Sequence, residues 1–142
     1  MAIHWWKDYG MEEDEFEVKP SQIPGAGLGL YTLVDIEPDN AVLPYVGIIH
    51  HHEPYYGPDG REYHTYCYEL SSKMCIDATD PTLSNKARYI NDSRNSEFDN
   101  NVEFIEVPAP ESRWGRDIWL HSTDFIPAGS ELFVCYGDDY WT

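Results

Sequence analysis

Short apolar runs at positions 28–33, 42–49, 66–70, 102–107, 118–120 and 131–136 alternate along the chain with turn-forming stretches. Between them lie Ile23-Pro24-Gly25-Ala26-Gly27, Glu37-Pro38-Asp39-Asn40, Tyr56-Gly57-Pro58-Asp59-Gly60-Arg61 and Ile126-Pro127-Ala128-Gly129. Runs this short, closed by Gly, Pro, Asn and Asp, predict β-strands joined by tight turns. Val102-Glu103-Phe104-Ile105-Glu106-Val107 partly alternates apolar with polar, as a half-buried strand does. Helical periodicity is weak, and one short helix is predicted over 82–89. No internal repeat or linker-like tract interrupts the pattern, which predicts one mainly-β domain over 16–142 behind a flank over 1–15. In that flank Trp5, Trp6 and Tyr9 stand ahead of Glu12-Glu13-Asp14-Glu15. The flank reads either as docked aromatics with solvated acids or as an acidic lip for a basic partner.

Charge narrows the class of partner. Among 142 residues, 26 are acidic and 9 are Lys or Arg, for a formal charge of -17. Nucleic-acid binding needs a basic footprint, so direct contact with nucleic acid is not expected, nor is binding to an anionic membrane. A negative field draws in cationic ligands instead. High net charge is also a mark of disorder, but the 15% aromatic content predicts a packed core. Cys67, Cys75 and Cys135 form no C-x-x-C pair, which argues against a disulfide framework or a cysteine-rich zinc site. No apolar run approaches the ~18 residues of a membrane span, and residues 1–10 lack a secretory layout. An intracellular, reducing setting is expected.

Several motifs suggest chemistry and fail on inspection. Gly25-Ala26-Gly27-Leu28-Gly29-Leu30 has Leu30 where the dinucleotide fingerprint needs its third glycine, and no helix pattern follows. Alone, the run says that backbone approaches something closely or adopts positive φ. His50-His51-His52 cannot converge on one ion, because successive strand residues face opposite sides; no metal site is expected. No pair among the many carboxylates is singled out, and the G-x-S-x-G nucleophile elbow is missing.

Four separated pieces carry more. They are Gly27-Leu28-Gly29-Leu30-Tyr31; Tyr45-Val46-Gly47; Ala87-Arg88-Tyr89-Ile90-Asn91-Asp92-Ser93 running on to Asn101-Val102; and Gly129-Ser130-Glu131-Leu132-Phe133-Val134-Cys135-Tyr136-Gly137-Asp138-Asp139-Tyr140-Trp141. In this order they resemble the SET-domain protein lysine methyltransferases. The first resembles the family's G-x-G turn, the second its E-Y-x-G strand, the third R-F-I-N-H-S-C-x-P-N and the fourth G-E-E-L-x-x-D-Y-G with a trailing Y-W. Cys75-Ile76-Asp77-Ala78 is similar to the family's I-D-A segment. The resemblance runs from about Phe16 to Trp141. Departures stand at Asp92 for the usual His, Arg94 for Cys and Cys135 for Asp, and the stretch from Ser93 to Asn101 is longer than usual.

The resemblance implies a SET fold, several small β-sheets around a knot-like core with little helix. It implies an S-adenosyl-L-methionine-dependent protein-lysine N-methyltransferase acting on a lysine-rich protein, a histone tail in nuclear chromatin. Tyr136 and Tyr45 would be the catalytic pair, and Tyr45, Phe104 and Tyr136 would line the lysine channel. Gly27, Leu28, Gly29, Tyr63, Asn91, Asp92, Tyr136 and Trp141 would hold the cofactor, with Arg88 structural. Phe104 would be either the position whose Phe permits di- or trimethylation or a plain core strand residue. The chemistry fits such a lining. A lysine amine, with a pKa near ~10.4, must lose its proton before attack. Burial in an aromatic channel and a neighbouring positive sulfur both disfavour the ammonium. Two rivals stay open. One is a catalytically silent SET-like module binding peptide or cofactor, suggested by Asp92 and Cys135; the other is an acidic binder for basic proteins with no pocket.

Overall fold

Proline and glycine cut the chain into short strands, the longest described ones spanning 7 residues. The structure is a computed structural model that describes residues 10–51, 55–56, 62–63, 67–69, 74–94, 96–110 and 115–135. Its strands are β1 (Phe16–Pro20), β2 (Leu28–Thr32), β3 (Ala41–Pro44), β4 (Ile48–His51), β5 (Tyr55–Tyr56), β6 (Glu62–Tyr63), β7 (Cys67–Glu69), β8 (Met74–Asp77), β9 (Asn91–Asp92), β10 (Val102–Pro108), β11 (Arg116–Ser122) and β12 (Phe133–Val134). Among the described residues they form five small sheets: β1-β2, β10-β11-β3, β12-β9, β4-β8-β7 and β5-β6. The expected architecture, small sheets with little helix, is what the described residues adopt.

The run over 42–49 is not one strand. β3 ends at Pro44, and the chain then crosses into a different sheet as β4. Tyr45 sits at that crossing, its N–H donating to the carbonyl of Ile118 at 2.8 Å. The short helix expected over 82–89 is also replaced. Two 3₁₀ turns, Pro81–Leu83 and Lys86–Tyr89, flank Ser84 and Asn85, which are both extended. Side-chain bonding competes successfully with a continuous helix here. Asp80 Oδ1 caps the first turn by accepting from Thr82 N at 2.9 Å, and Asn85 Nδ2 donates to the carbonyl of Pro44 at 2.8 Å.

One apolar core joins β1-β2, β10-β11-β3 and β12, with Ile76 of β8 also in it. Phe16, Leu30, Val42, Leu43, Ile90, Val102, Ile118, Leu120, Leu132 and Val134 are all nearly or fully buried in it. The β10–β11 hairpin has a second apolar face, where Val107 and Trp119 pack with Ala41 and Ile105. Residues two apart on a strand share a face, so the mixed alternation over 102–107 reflects burial on both sides. The flank docks on this body through Met11, whose N–H donates to the carbonyl of Val42, while Glu12, Glu13 and Asp14 are exposed. Trp5, Trp6 and Tyr9 lie outside the described residues.

The last described strand is held on both edges. β12 runs parallel to β9, with Phe133 opposite Asn91 and Val134 opposite Asp92. Its other edge is held by Asn101, whose N–H donates to the carbonyl of Phe133 at 3.0 Å. The strand is thus gripped between the two ends of the 91–101 segment.

Candidate active site

The glycine turn before β2 is built from two different requirements. Gly25 and Gly27 have φ of 80° and 78°, a backbone conformation that only glycine adopts without strain. Among the described residues, nothing lies within 4 Å of the place where a side chain on Gly27 would begin. Gly29 is different. A side chain there would run into the carboxylate of Glu131, whose Cδ would stand 2.9 Å from the new carbon.

Across the turn lies Asn91. Its Nδ2 donates to the carbonyl of Leu28 at 2.9 Å, joining residues 63 apart in sequence. That bond uses one of the two Nδ2 hydrogens, and Oδ1, the acceptor, is the amide atom suited to a cationic ammonium. Asp92 is buried, and its Oδ1 accepts from the N–H of Arg94 at 2.7 Å, a side-chain turn that shapes the longer loop after it. Phe98, carried by that loop, stacks on Phe133 with ring centroids 5.0 Å apart and planes at 13°.

Asn101 anchors β12 at this site. Its Oδ1 accepts from Phe133 N at 2.9 Å and its Nδ2 donates to the carbonyl of Glu131 at 3.1 Å. Glu131 itself is almost wholly buried. Its Oε2 accepts from Ser21 Oγ at 2.7 Å and its Oε1 from Gln22 N at 2.8 Å.

Tyr45 meets Phe104 edge to face, with centroids 5.7 Å apart and planes at 86°. The arrangement sets the positive edge of one ring on the negative face of the other. Tyr45 is buried, whereas Phe104 is partly buried at the margin of the core. Phe104 therefore packs on the core as a strand residue, with its ring against Tyr45. Arg88 donates from Nε to the carbonyl of Ala78 and from Nη2 to that of Thr79, as the expected structural role requires.

Tyr31 shows the electrostatic influence of this region. Its hydroxyl donates to the carbonyl of Pro20 at 2.7 Å, and burial followed by the neighbouring Glu131 raises its pKa. A phenol that keeps its proton longer when folded loses stability as pH climbs from about 10 through the folded value, because the unfolded chain ionises first. Tyr31→Phe is expected to cost about 1 kcal/mol at neutral pH through the lost hydrogen bond. It should also flatten the alkaline decline, and urea unfolding at neutral and alkaline pH checks both effects.

The SET domain family profile matches residues 27–137. The chain belongs to the SET-domain family. Among solved structures, it is similar to polycomb repressive complex 2 (ctPRC2) in an autoinhibited conformation bound to S-adenosylmethionine, at 26% identity and a TM-score of 0.71 over 89% of this chain and 16% of that one. It is similar also to the crystal structure of the Chaetomium thermophilum complex, at 26% identity and a TM-score of 0.72 over 87% of this chain and 15% of that one. The apo, autoinhibited form of ctPRC2 aligns at 27% identity and a TM-score of 0.71 over 87% and 15%. This SET domain thus spans about a sixth of the chains it matches.

Of the residues assigned from sequence, the fold brings Gly27, Leu28, Gly29, Asn91 and Asp92 into one hydrogen-bonded region, and it pairs Tyr45 with Phe104. Tyr63 lies in β6 opposite Tyr55, and its side chain lies outside the described part. Tyr136 and Trp141 also lie outside it; the described chain reaches Cys135, which is exposed. Sequence reasoning passed over Ser21, Gln22 and the buried state of Glu131. The G-E-E-L-like motif contains Glu131, but nothing in that resemblance marked its side chain as buried.

Proposed function

We propose that this SET domain is an S-adenosylmethionine-dependent protein-lysine N-methyltransferase acting on a basic protein segment, a histone tail in nuclear chromatin. The observation that carries the reading is the SET match over 27–137 together with the Asn91–Leu28 bond, which gathers two of the family's motifs at the glycine turn. The solved relative bound to S-adenosylmethionine supports the choice of cofactor.

The residues present fit that cofactor. Backbone of Gly27 to Gly29 would take its amino-acid end, Asn91 Oδ1 its ammonium, and backbone at Asp92 its adenine, with Tyr63 and Trp141 as adenosine walls. When bound, the cofactor supplies a methyl group on a positively charged sulfur. Tyr45 and Phe104 would wall the channel, excluding water and favouring the neutral amine over the ammonium. Their ring faces attract methylated ammonium groups, which suits successive methylation to the di- or trimethyl state. Tyr136, following the anchored β12, would orient the amine through its hydroxyl. Exposed Glu12, Glu13, Asp14, Asp35, Glu37, Asp39 and Asp124 supply a field that favours a cationic substrate.

A silent SET module is the second reading, supported by buried Asp92 and exposed Cys135 where the family usually has His and Asp. Calorimetric titration with S-adenosylmethionine and methyl transfer to mixed histones separate the readings. Saturable heat with methylated lysine is expected. Heat without transfer selects the silent module, and no heat overturns both.

A further inference from the structure

We propose that Glu131 is a positioning residue whose buried carboxylate sets the backbone of the Gly25-to-Gly29 turn and joins it to β12. The inference rests on the function proposed above, which gives that turn to the cofactor. It adds a residue outside the turn that controls the turn's shape.

The carboxylate touches both ends of the loop. At the start, it accepts from Ser21 Oγ, from Gln22 N and, at 3.5 Å, from Gln22 Nε2. Ser21 passes the constraint on, because its Oγ accepts from Ile23 N at 3.1 Å and its N–H donates to the carbonyl of Gly27 at 2.8 Å. At the far end, the carboxylate fills the space above Gly29 that any side chain would claim. The main chain of Glu131 faces the opposite way, its carbonyl accepting from Asn101 Nδ2. One residue therefore holds both the turn and the strand that leads to Tyr136.

Packing alone does not explain a carboxylate here. Its described hydrogen-bond donors, Ser21 and Gln22, are neutral, and burying an acid without a cation is costly. Leu132, the next residue, is fully buried with an aliphatic side chain. An acid in such a place supplies what an aliphatic residue cannot: several directed acceptors that fix one loop conformation.

The test is calorimetric titration of S-adenosylmethionine, with melting temperature and steady-state kinetics on a histone mixture, for wild type, Glu131→Gln, Glu131→Ala and Ser21→Ala. Glu131→Ala is expected to weaken cofactor affinity about tenfold or more, the effect of losing charge-assisted hydrogen bonds. Ser21→Ala should weaken it about threefold while melting near wild type, and Glu131→Gln should recover most of the loss by keeping an acceptor toward Gln22 N. KM for the cofactor should rise while kcat at saturation changes less. Folded variants that bind as tightly as wild type overturn the proposal. So does a Glu131→Ala protein that fails to fold beside a Ser21→Ala protein of unaltered affinity, since Glu131 would then be structural only. Absence of binding by wild type itself points elsewhere, to failure of the cofactor reading, and removes the inference with it.

Discussion

Tyr136→Phe should lower methyl transfer by about 10²-fold or more while leaving the affinity for S-adenosylmethionine within about twofold. The hydroxyl is the only atom removed. In the proposed mechanism it orients the amine for in-line attack, so its loss falls on the transition state and not on cofactor binding. β12, which ends two residues before Tyr136, is fixed on one edge by β9 and on the other by Asn101. Single-turnover assays beside calorimetry check the split. Equal loss of affinity and rate would assign Tyr136 to the cofactor wall, and unchanged turnover would remove it from the reacting centre.

Strand content was legible where the chain's own pattern decides it. β2, β7, β10 and β11 fall on apolar runs bounded by turn residues. β9 was not legible, since Asn91 and Asp92 have no preference for strand and pair only because β12 arrives beside them. Within the predicted 131–136, the described part holds β12 at Phe133–Val134, with Glu131 making an isolated bridge to Tyr31; Tyr136 lies outside the described residues. The glycine motif was read as one feature, yet Gly27 answers to backbone conformation and Gly29 to a carboxylate from a distant segment. The meeting of Tyr45 and Phe104 could be expected only through family resemblance, because spacing along a chain does not reveal which sheets will share a core. The buried acid at Glu131 escaped because burial of a charged residue is a tertiary outcome, opposed by its own transfer free energy.

Asn101→Ala is expected to cost about 2–4 kcal/mol of folding stability, more than any other single change considered. The side chain satisfies two main-chain groups of the C-terminal segment, the N–H of Phe133 and the carbonyl of Glu131. Its backbone adds bonds to the carbonyl of Phe133 and from the N–H of Thr123, so truncation leaves the residue in place but strips two partners from its neighbours. Asn101→Asp separates hydrogen bonding from shape. An ionised carboxylate keeps the acceptor for Phe133 but sets an oxygen against the carbonyl of Glu131. Its charged form is disfavoured in the fold, so its folded pKa should lie above the unfolded value, with stability retained at low pH and lost as pH rises through that folded value. Urea unfolding across pH, with hydrogen exchange at Phe133 N, measures both effects. Faster exchange at Phe133 in the alanine variant, with the β1–β2 amides less affected, would show that Asn101 holds β12 in place. Wild-type midpoints and exchange in both variants would mean that β12 is kept in register by the core contacts of Leu132 and Val134 alone.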